Sequence, residues 1–226
     1  SEKTIDKQNG GFYGRIDGQD YLHHESAKGS VLNAGILWTF SCAYRILKDE
    51  KYLEVASRAK DYIVNNFIDK EFGGVFWILD CFGKPIETKK QIYSLSFAIY
   101  GLSEFYTVTA DKDALDQAIK LFEAIEEHSY DKELDGYFEA YSREWKLLGD
   151  LRLSDKDANE KKTMNTHLHV LEAYSNLYRV WPNEKLKYQL TGLINLFCNK
   201  IIDNQTNSFR LFFDENWVCK SKITSY

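Results

Sequence analysis

The densest run of chemically useful side chains lies between Lys162 and Asn176. There Asn165, His169, Glu172 and Asn176 stand at i, i+4, i+7 and i+11, which on an α-helix is one continuous face. Their neighbours are largely apolar. Such a polar row needs partners or a wet cavity, because a buried polar group without a hydrogen bond costs on the order of a few kcal/mol. In a cavity His169 could serve as acid, base or hydrogen-bond donor near neutral pH. It is the candidate catalytic residue, with Asn165 and Glu172 as candidate ligand contacts; the competing reading is a satisfied core histidine. His167 lies two residues from His169, about 200° around the helix, so the pair cannot share a metal or a pocket face. Packing or support is the role expected of His167.

Other candidates carry less. Tyr93, in Gln91-Ile92-Tyr93-Ser94, would begin a buried helix and could aim its hydroxyl at a sugar hydroxyl; core packing explains it equally well. His23 and His24 fall in a polar loop. His128 ends a charged helix, where a cation complements the helix dipole. The aromatic residues Phe12, Tyr13, Phe76, Trp77, Tyr137 and Phe138 could line a pocket mouth. Glycoside hydrolysis would need two carboxylates facing each other across a pocket, and Glu172 has no evident partner. The cysteines, Cys42, Cys81, Cys198 and Cys219, are scattered with no metal-like spacing, which reads as reduced thiols in a cytoplasmic protein.

The elements that must position these residues show in a repeat. Asp6-Lys-Gln-Asn-Gly-Gly-Phe-Tyr-Gly, Asp69-Lys-Glu-Phe-Gly-Gly-Val-Phe-Trp, Asp131-Lys-Glu-Leu-Asp-Gly-Tyr-Phe-Glu and Asp203-Asn-Gln-Thr-Asn-Ser-Phe-Arg-Leu share one pattern and recur every 60–70 residues or so. Regular self-similarity marks stacked supersecondary units. Each copy has the turn residues and aromatic strand residues of a short β-hairpin. Between them the periodicity predicts helices over 30–47, 51–67, 91–108, 112–129, 163–180 and 184–202. The first of each pair is apolar nearly all round and the second amphipathic, so inner helices should alternate with outer ones. The expectation is an all-α, single domain over 1–226: an α/α toroid with short hairpins between pairs. It holds three helix pairs where a closed ring takes about six. Ser1 inside a turn and Ser225-Tyr226 just after a hairpin read as cut ends of an internal fragment, whose open half-ring leaves apolar helix faces in water. A net charge of −5 with no basic run argues against nucleic acid and anionic membrane, and no apolar stretch is of membrane-spanning length.

Several strings then carry a resemblance. Gly-Gly-Phe-Tyr-Gly at 10–14, Val-Leu-Asn-Ala-Gly-Ile-Leu-Trp-Thr-Phe at 31–40, Gln-Ile-Tyr-Ser at 91–94 and Lys-Thr-Met-Asn-Thr-His-Leu-His-Val-Leu-Glu at 162–172 resemble the cellobiose 2-epimerase branch of the N-acylglucosamine 2-epimerase family, in order along essentially the whole chain. The resemblance implies a six-pair α/α barrel that acts without a cofactor on the reducing-end sugar of cellobiose and related β-1,4 disaccharides. The ring opens, a histidine removes the C2 proton, a cis-enediolate forms, the C2–C3 bond rotates, and a proton returns to the opposite face. By position, His169 resembles the histidine associated with ring opening and stabilisation of the intermediate, and Asn165 and Tyr93 resemble sugar contacts. Two departures stand out. Gly35 occupies the place of the family's catalytic arginine, and the Gly-His-Asp-Ile-Glu motif with a later histidine, the acid–base pair, would fall beyond Tyr226. The 226 residues are therefore expected to be inactive alone. The alternatives are an N-acylglucosamine 2-epimerase, a mannose isomerase or a non-catalytic sugar-binding module.

Overall fold

The six periodic segments fold as six helices in a computed structural model that describes residues 2–220; Ser1 and Ser225-Tyr226, expected to be cut ends, lie outside the described residues. The helices are α1 (Ser30–Leu47), α2 (Glu50–Tyr62), α3 (Ile92–Thr109), α4 (Lys112–His128), α5 (Met164–Val180) and α6 (Glu184–Leu196). The second helix of each pair opens on a side-chain cap. Asp49 accepts from the Lys51 N–H, Asp111 from that of Ala114, and Asn183 from those of Lys185 and Leu186, satisfying donors that the first turn cannot. α2 and α6 end earlier as α-helix than their periodicity predicts. Their last turns widen to π geometry over Ile63–Phe67 and Phe197–Ile201, which turns Ile63, Phe67, Phe197 and Ile201 inward to buried positions.

α1, α3 and α5 stand side by side as an inner layer, and α2, α4 and α6 pack behind them. α3 has an inner helix on each flank and is buried along most of its length. Gly101 makes the α1–α3 approach possible, since a Cβ there would lie 2.9 Å from the Ala34 carbonyl oxygen. α1 has a neighbour on one side only, and its Leu32, Ile46 and Leu47 are exposed, as an open ring requires. Among the described residues no helix is long and apolar enough to cross a membrane.

The short strands close each repeat. β1 (Lys28–Gly29), just before α1, pairs antiparallel with β2 (Ile78–Leu79), which continues to β3 (Pro85–Glu87). β4 (Lys90–Gln91) pairs with β5 (Ala140–Tyr141) in the same way. β6 (Lys162–Thr163) pairs with β9 (Phe212–Phe213), while β7 (Ile202–Asp203) and β8 (Ser208–Phe209) form the hairpin between them. Three of the four repeated aspartate segments are tighter than hairpins, each closed by a single bridge: Ile5 to Phe12, Ile68 to Val75 and Tyr130 to Tyr137.

Each of those three turns is organised by its aspartate. One carboxylate oxygen of Asp6 accepts the Gln8 and Asn9 N–H groups; Asp69 and Asp131 do the same two and three residues on. The other oxygen receives the ammonium of the lysine that leads into the inner helix. Lys28 reaches Asp6 at 2.7 Å, Lys90 reaches Asp69 at 2.8 Å and Lys162 reaches Asp131 at 2.6 Å. All three lysine side chains are wholly buried. Burial works against ionisation of these carboxyls, yet the backbone N–H groups and the ammonium, joined at Asp69 by the Arg143 guanidinium as the largest lowering influence, hold all three below the usual carboxylate range. Three of the four copies of the repeat are thus stitched by a buried ion pair.

Candidate functional site

The inner helices share one register. The second, sixth and ninth residues are Val31, Gly35 and Trp38 on α1, Tyr93, Phe97 and Tyr100 on α3, and Asn165, His169 and Glu172 on α5. None of these nine is fully buried, and together they line the concave face of the inner layer. Cross-helix contacts confirm the register: Trp38 stacks on Tyr100 with centroids 5.2 Å apart, and His169 lies 4.7 Å from the Tyr93 ring and 4.5 Å from that of Phe97.

His169, Tyr93 and Glu172 are therefore brought together. His169 Nδ1 is 2.7 Å from a Glu172 carboxylate oxygen. A carboxylate can only accept, so Nδ1 carries the proton, and in the neutral ring Nε2 is the acceptor. That arrangement suits proton abstraction or a hydrogen bond to a substrate hydroxyl. Burial first, and then the Glu172 charge, raise the Tyr93 hydroxyl's pKa, which keeps it a neutral donor. Asn165 sits one turn above His169, exposed, with no hydrogen bond to any described residue. It borders a cavity of about 220 Å³ at the head of α5.

Asn176, the fourth member of the polar row, is spent elsewhere. Its amide donates to the Tyr100 carbonyl at 3.0 Å, and its oxygen accepts from Arg179 at 2.8 Å. His167 is support, as its place on the helix predicted. Nδ1 donates to the Thr163 carbonyl and Nε2 accepts the Tyr137 N–H. Complete burial pushes its pKa down to about 4. His128 departs from the expected dipole role: it stacks on Trp145 at 4.2 Å, and burial lowers its pKa, so it is held neutral rather than cationic. His23 bonds Asp17 and His24 packs on Tyr13, both in the first loop. Of the mouth aromatics, Phe12, Phe76 and Tyr137 are core, while Tyr13, Trp77 and Phe138 are half-buried.

Gly35 occupies the α1 rung level with Phe97 and His169. A Cβ built there meets nothing within 4 Å, so the concave face is open at that point. Arg45 cannot replace a cation there. It is committed to Glu104 at 2.8 Å toward the far end of the helix, where Arg179 approaches the same buried carboxylate at 3.6 Å. The site also contains a residue that sequence reasoning missed. Glu139 is fully buried at the cavity floor, accepting the Thr163 N–H at 2.8 Å and the Thr166 hydroxyl at 2.6 Å. Burial raises its pKa to about 8. The available signal was a lone acid in the aromatic run Tyr137-Phe138-Glu139-Ala140-Tyr141.

Comparison with known proteins bears on these features. Cellobiose 2-epimerase from Bacteroides fragilis is 56% identical over 225 residues, covering all of this chain and 57% of that protein. The Ruminococcus albus cellobiose 2-epimerase is 40% identical, over 99% of this chain and 57% of its own length. The structure of cellobiose 2-epimerase from Bacillus thermoamylovorans superposes with a TM-score of 0.93 at 39% identity, over 96% of this chain and 56% of that one. The chain thus spans little more than half the length of the relatives it matches, and its three helix pairs are an incomplete (α/α)6 barrel. A D-mannose isomerase structure, 19% identical with a TM-score of 0.79, shares the fold. The sequence model of the N-acylglucosamine 2-epimerase family matches residues 11–224, and to that family the chain belongs.

Proposed function

We propose that this chain supplies one half of the pocket of a sugar 2-epimerase that interconverts glucose and mannose at the reducing end of β-1,4 disaccharides such as cellobiose. The observation that carries the reading is His169, held between Tyr93 and Phe97 with Nδ1 on Glu172, in a chain 56% identical to a cellobiose 2-epimerase. His169 Nε2 assists ring opening and steadies the enediolate. Tyr93 and Asn165 bond sugar hydroxyls, and Glu172 fixes the imidazole while its exposed edge meets the substrate. Proton removal and return at C2 fall to groups outside this chain. The 226 residues alone are then inactive, in a cytoplasmic setting. Incubating the chain with cellobiose and assaying for glucosyl-mannose tests this; turnover by the chain alone contradicts it.

Gly35 favours a second reading, a sugar-binding module without catalysis. An arginine at that rung would stabilise the charge of the enediolate, a contribution worth a few kcal/mol of barrier for one well-placed donor, and glycine offers none. Calorimetric titration with cellobiose beside a turnover assay separates the two: binding without turnover, in a chain completed to the length of its relatives, supports the module.

A further inference from the structure

The repeat supplies an internal comparison for a groove on the outer layer. In three copies a furrow lies between the aspartate turn and the outer helix behind it: Gly10 and Gly11 against α2, Gly73 and Gly74 against α4, and Leu134 and Asp135 against α6. Counted from the caps Asp49, Asp111 and Asn183, four helix positions change together in the α6 copy. The fifth residue is Glu54, Asp116 and then Tyr188; the ninth is Arg58, Lys120 and then Gly192. The twelfth is Asp61, Glu123 and then Asn195, and the sixteenth is Asn65, Glu127 and then Asn199. In the α2 copy Arg58 reaches across the furrow to donate to the Asp6 and Gly11 carbonyls. Gly192 leaves that place open, since a Cβ there would meet nothing within 4 Å, although glycine inside a helix costs roughly 0.5–1 kcal/mol relative to alanine. The furrow beside α6 has a volume of about 310 Å³, within the size range of small-molecule sites.

The lining selects the ligand. Tyr188 is 69% exposed and presents a flat apolar face with a wet hydroxyl at its edge. Asn195 and Asn199, one turn apart on the same face of the helix, make no side-chain hydrogen bond to a described residue. Their amides can both donate and accept. Asp135 and Lys200 are opposite in sign, so the furrow favours neither an anion nor a cation. What fits is a neutral molecule rich in hydroxyls and apolar on one face, which describes a pyranose ring.

We propose that the furrow beside α6 is a surface saccharide site, with a pyranose stacked on Tyr188 and its hydroxyls bonded by Asn195 and Asn199. It is separate from the concave face at His169, because no residue of α1, α3 or α5 lines it. The proposal does not rest on the reading of the lumen, which the turnover assay tests. Its own test is electrophoresis of the chain through native gels with and without dissolved hydroxyethylcellulose or galactomannan. The unmodified chain is retarded by at least one of the two, and the dependence on polysaccharide concentration gives a dissociation constant. Tyr188→Ala removes the platform, and Gly192→Arg restores the arrangement of the α2 copy. Each raises the constant at least about tenfold, the scale of one lost aromatic contact, while Tyr188→Phe keeps the retardation. Circular dichroism checks both folds, and should one variant lose its helices the other decides. Free passage of the unmodified chain, or retardation kept by a folded Tyr188→Ala or Gly192→Arg, overturns the proposal. A concentration-dependent dimer that both variants abolish would give the furrow to a second copy and overturn it as well.

Discussion

Replacing Lys28 by methionine strands the Asp6 carboxylate. Among the described residues the ammonium is its only cationic partner, at 2.7 Å, and both side chains are 0% exposed. Removing one member of a buried ion pair typically costs about 3–5 kcal/mol, because the remaining charge is left in a low-dielectric site. The equivalent lesion one repeat on is milder. Asp69 keeps Arg143, whose Nε and a terminal nitrogen lie 2.9 and 3.2 Å from its two oxygens, so Lys90→Met should cost only about 2 kcal/mol. Urea denaturation followed by circular dichroism measures both. The difference between the two variants should exceed about 1 kcal/mol, and adding Asp6→Asn to Lys28→Met should recover part of the loss, since the uncompensated charge is then gone. Equal destabilisation by the two lysine variants, or no recovery in the double variant, would refute the assignment of the cost to the stranded carboxylate.

Two buried groups should give the stability opposite slopes with pH. Glu139 is raised from 4.5 to about 8, so its contribution is complete below about 4.5 and is lost as pH rises through 8, a fall of up to about 5 kcal/mol; Glu139→Gln should flatten that limb of a denaturation series. His167 is lowered from 6.5 to about 4, so its contribution is present above 6.5 and is lost as pH falls toward 4, by up to about 3 kcal/mol. His167→Gln, which can copy both hydrogen bonds, should remove this acid limb, and an unchanged limb would point to other groups. Two glycines should behave oppositely on substitution by alanine. Gly136 has φ +86° and a Cβ would sit 2.4 Å from the Trp217 ring, so Gly136→Ala should lower the melting temperature sharply. Gly35→Ala, in an open helix position, should raise stability by about 0.5–1 kcal/mol.

Much of the architecture was legible because it is periodic. The inner helices read correctly from their apolar runs to within a residue, and the outer ones from an amphipathic stripe, although α2 and α6 pass into π geometry before their expected ends. The aspartates of the repeat were visible as turn residues, but their clasp was not. Each partner lysine lies 21 to 31 residues away, beyond any local pattern, and only the tertiary fold brings it back. At the site, His169 and Glu172 could be joined from helical spacing alone. Asn176 could not be removed from that face, because its partner is a carbonyl on another helix. The neutral state of His128 and the protonated Glu139 depend on desolvation, which spacing does not report. Gly35 was visible as a departure, but the open space around it belongs to the packing.

The most direct test of the central claim, that the concave face at His169 is the incomplete pocket of an epimerase, is turnover of cellobiose by the chain completed with the remaining segments of the Bacteroides fragilis relative, with Gly35 and with Gly35→Arg. The arginine variant should form glucosyl-mannose at a rate at least about 100-fold above the glycine form, the effect of one well-placed charge-stabilising donor, and His169→Ala should abolish it. A Gly35→Arg chain that folds and binds cellobiose yet forms no glucosyl-mannose would contradict the account.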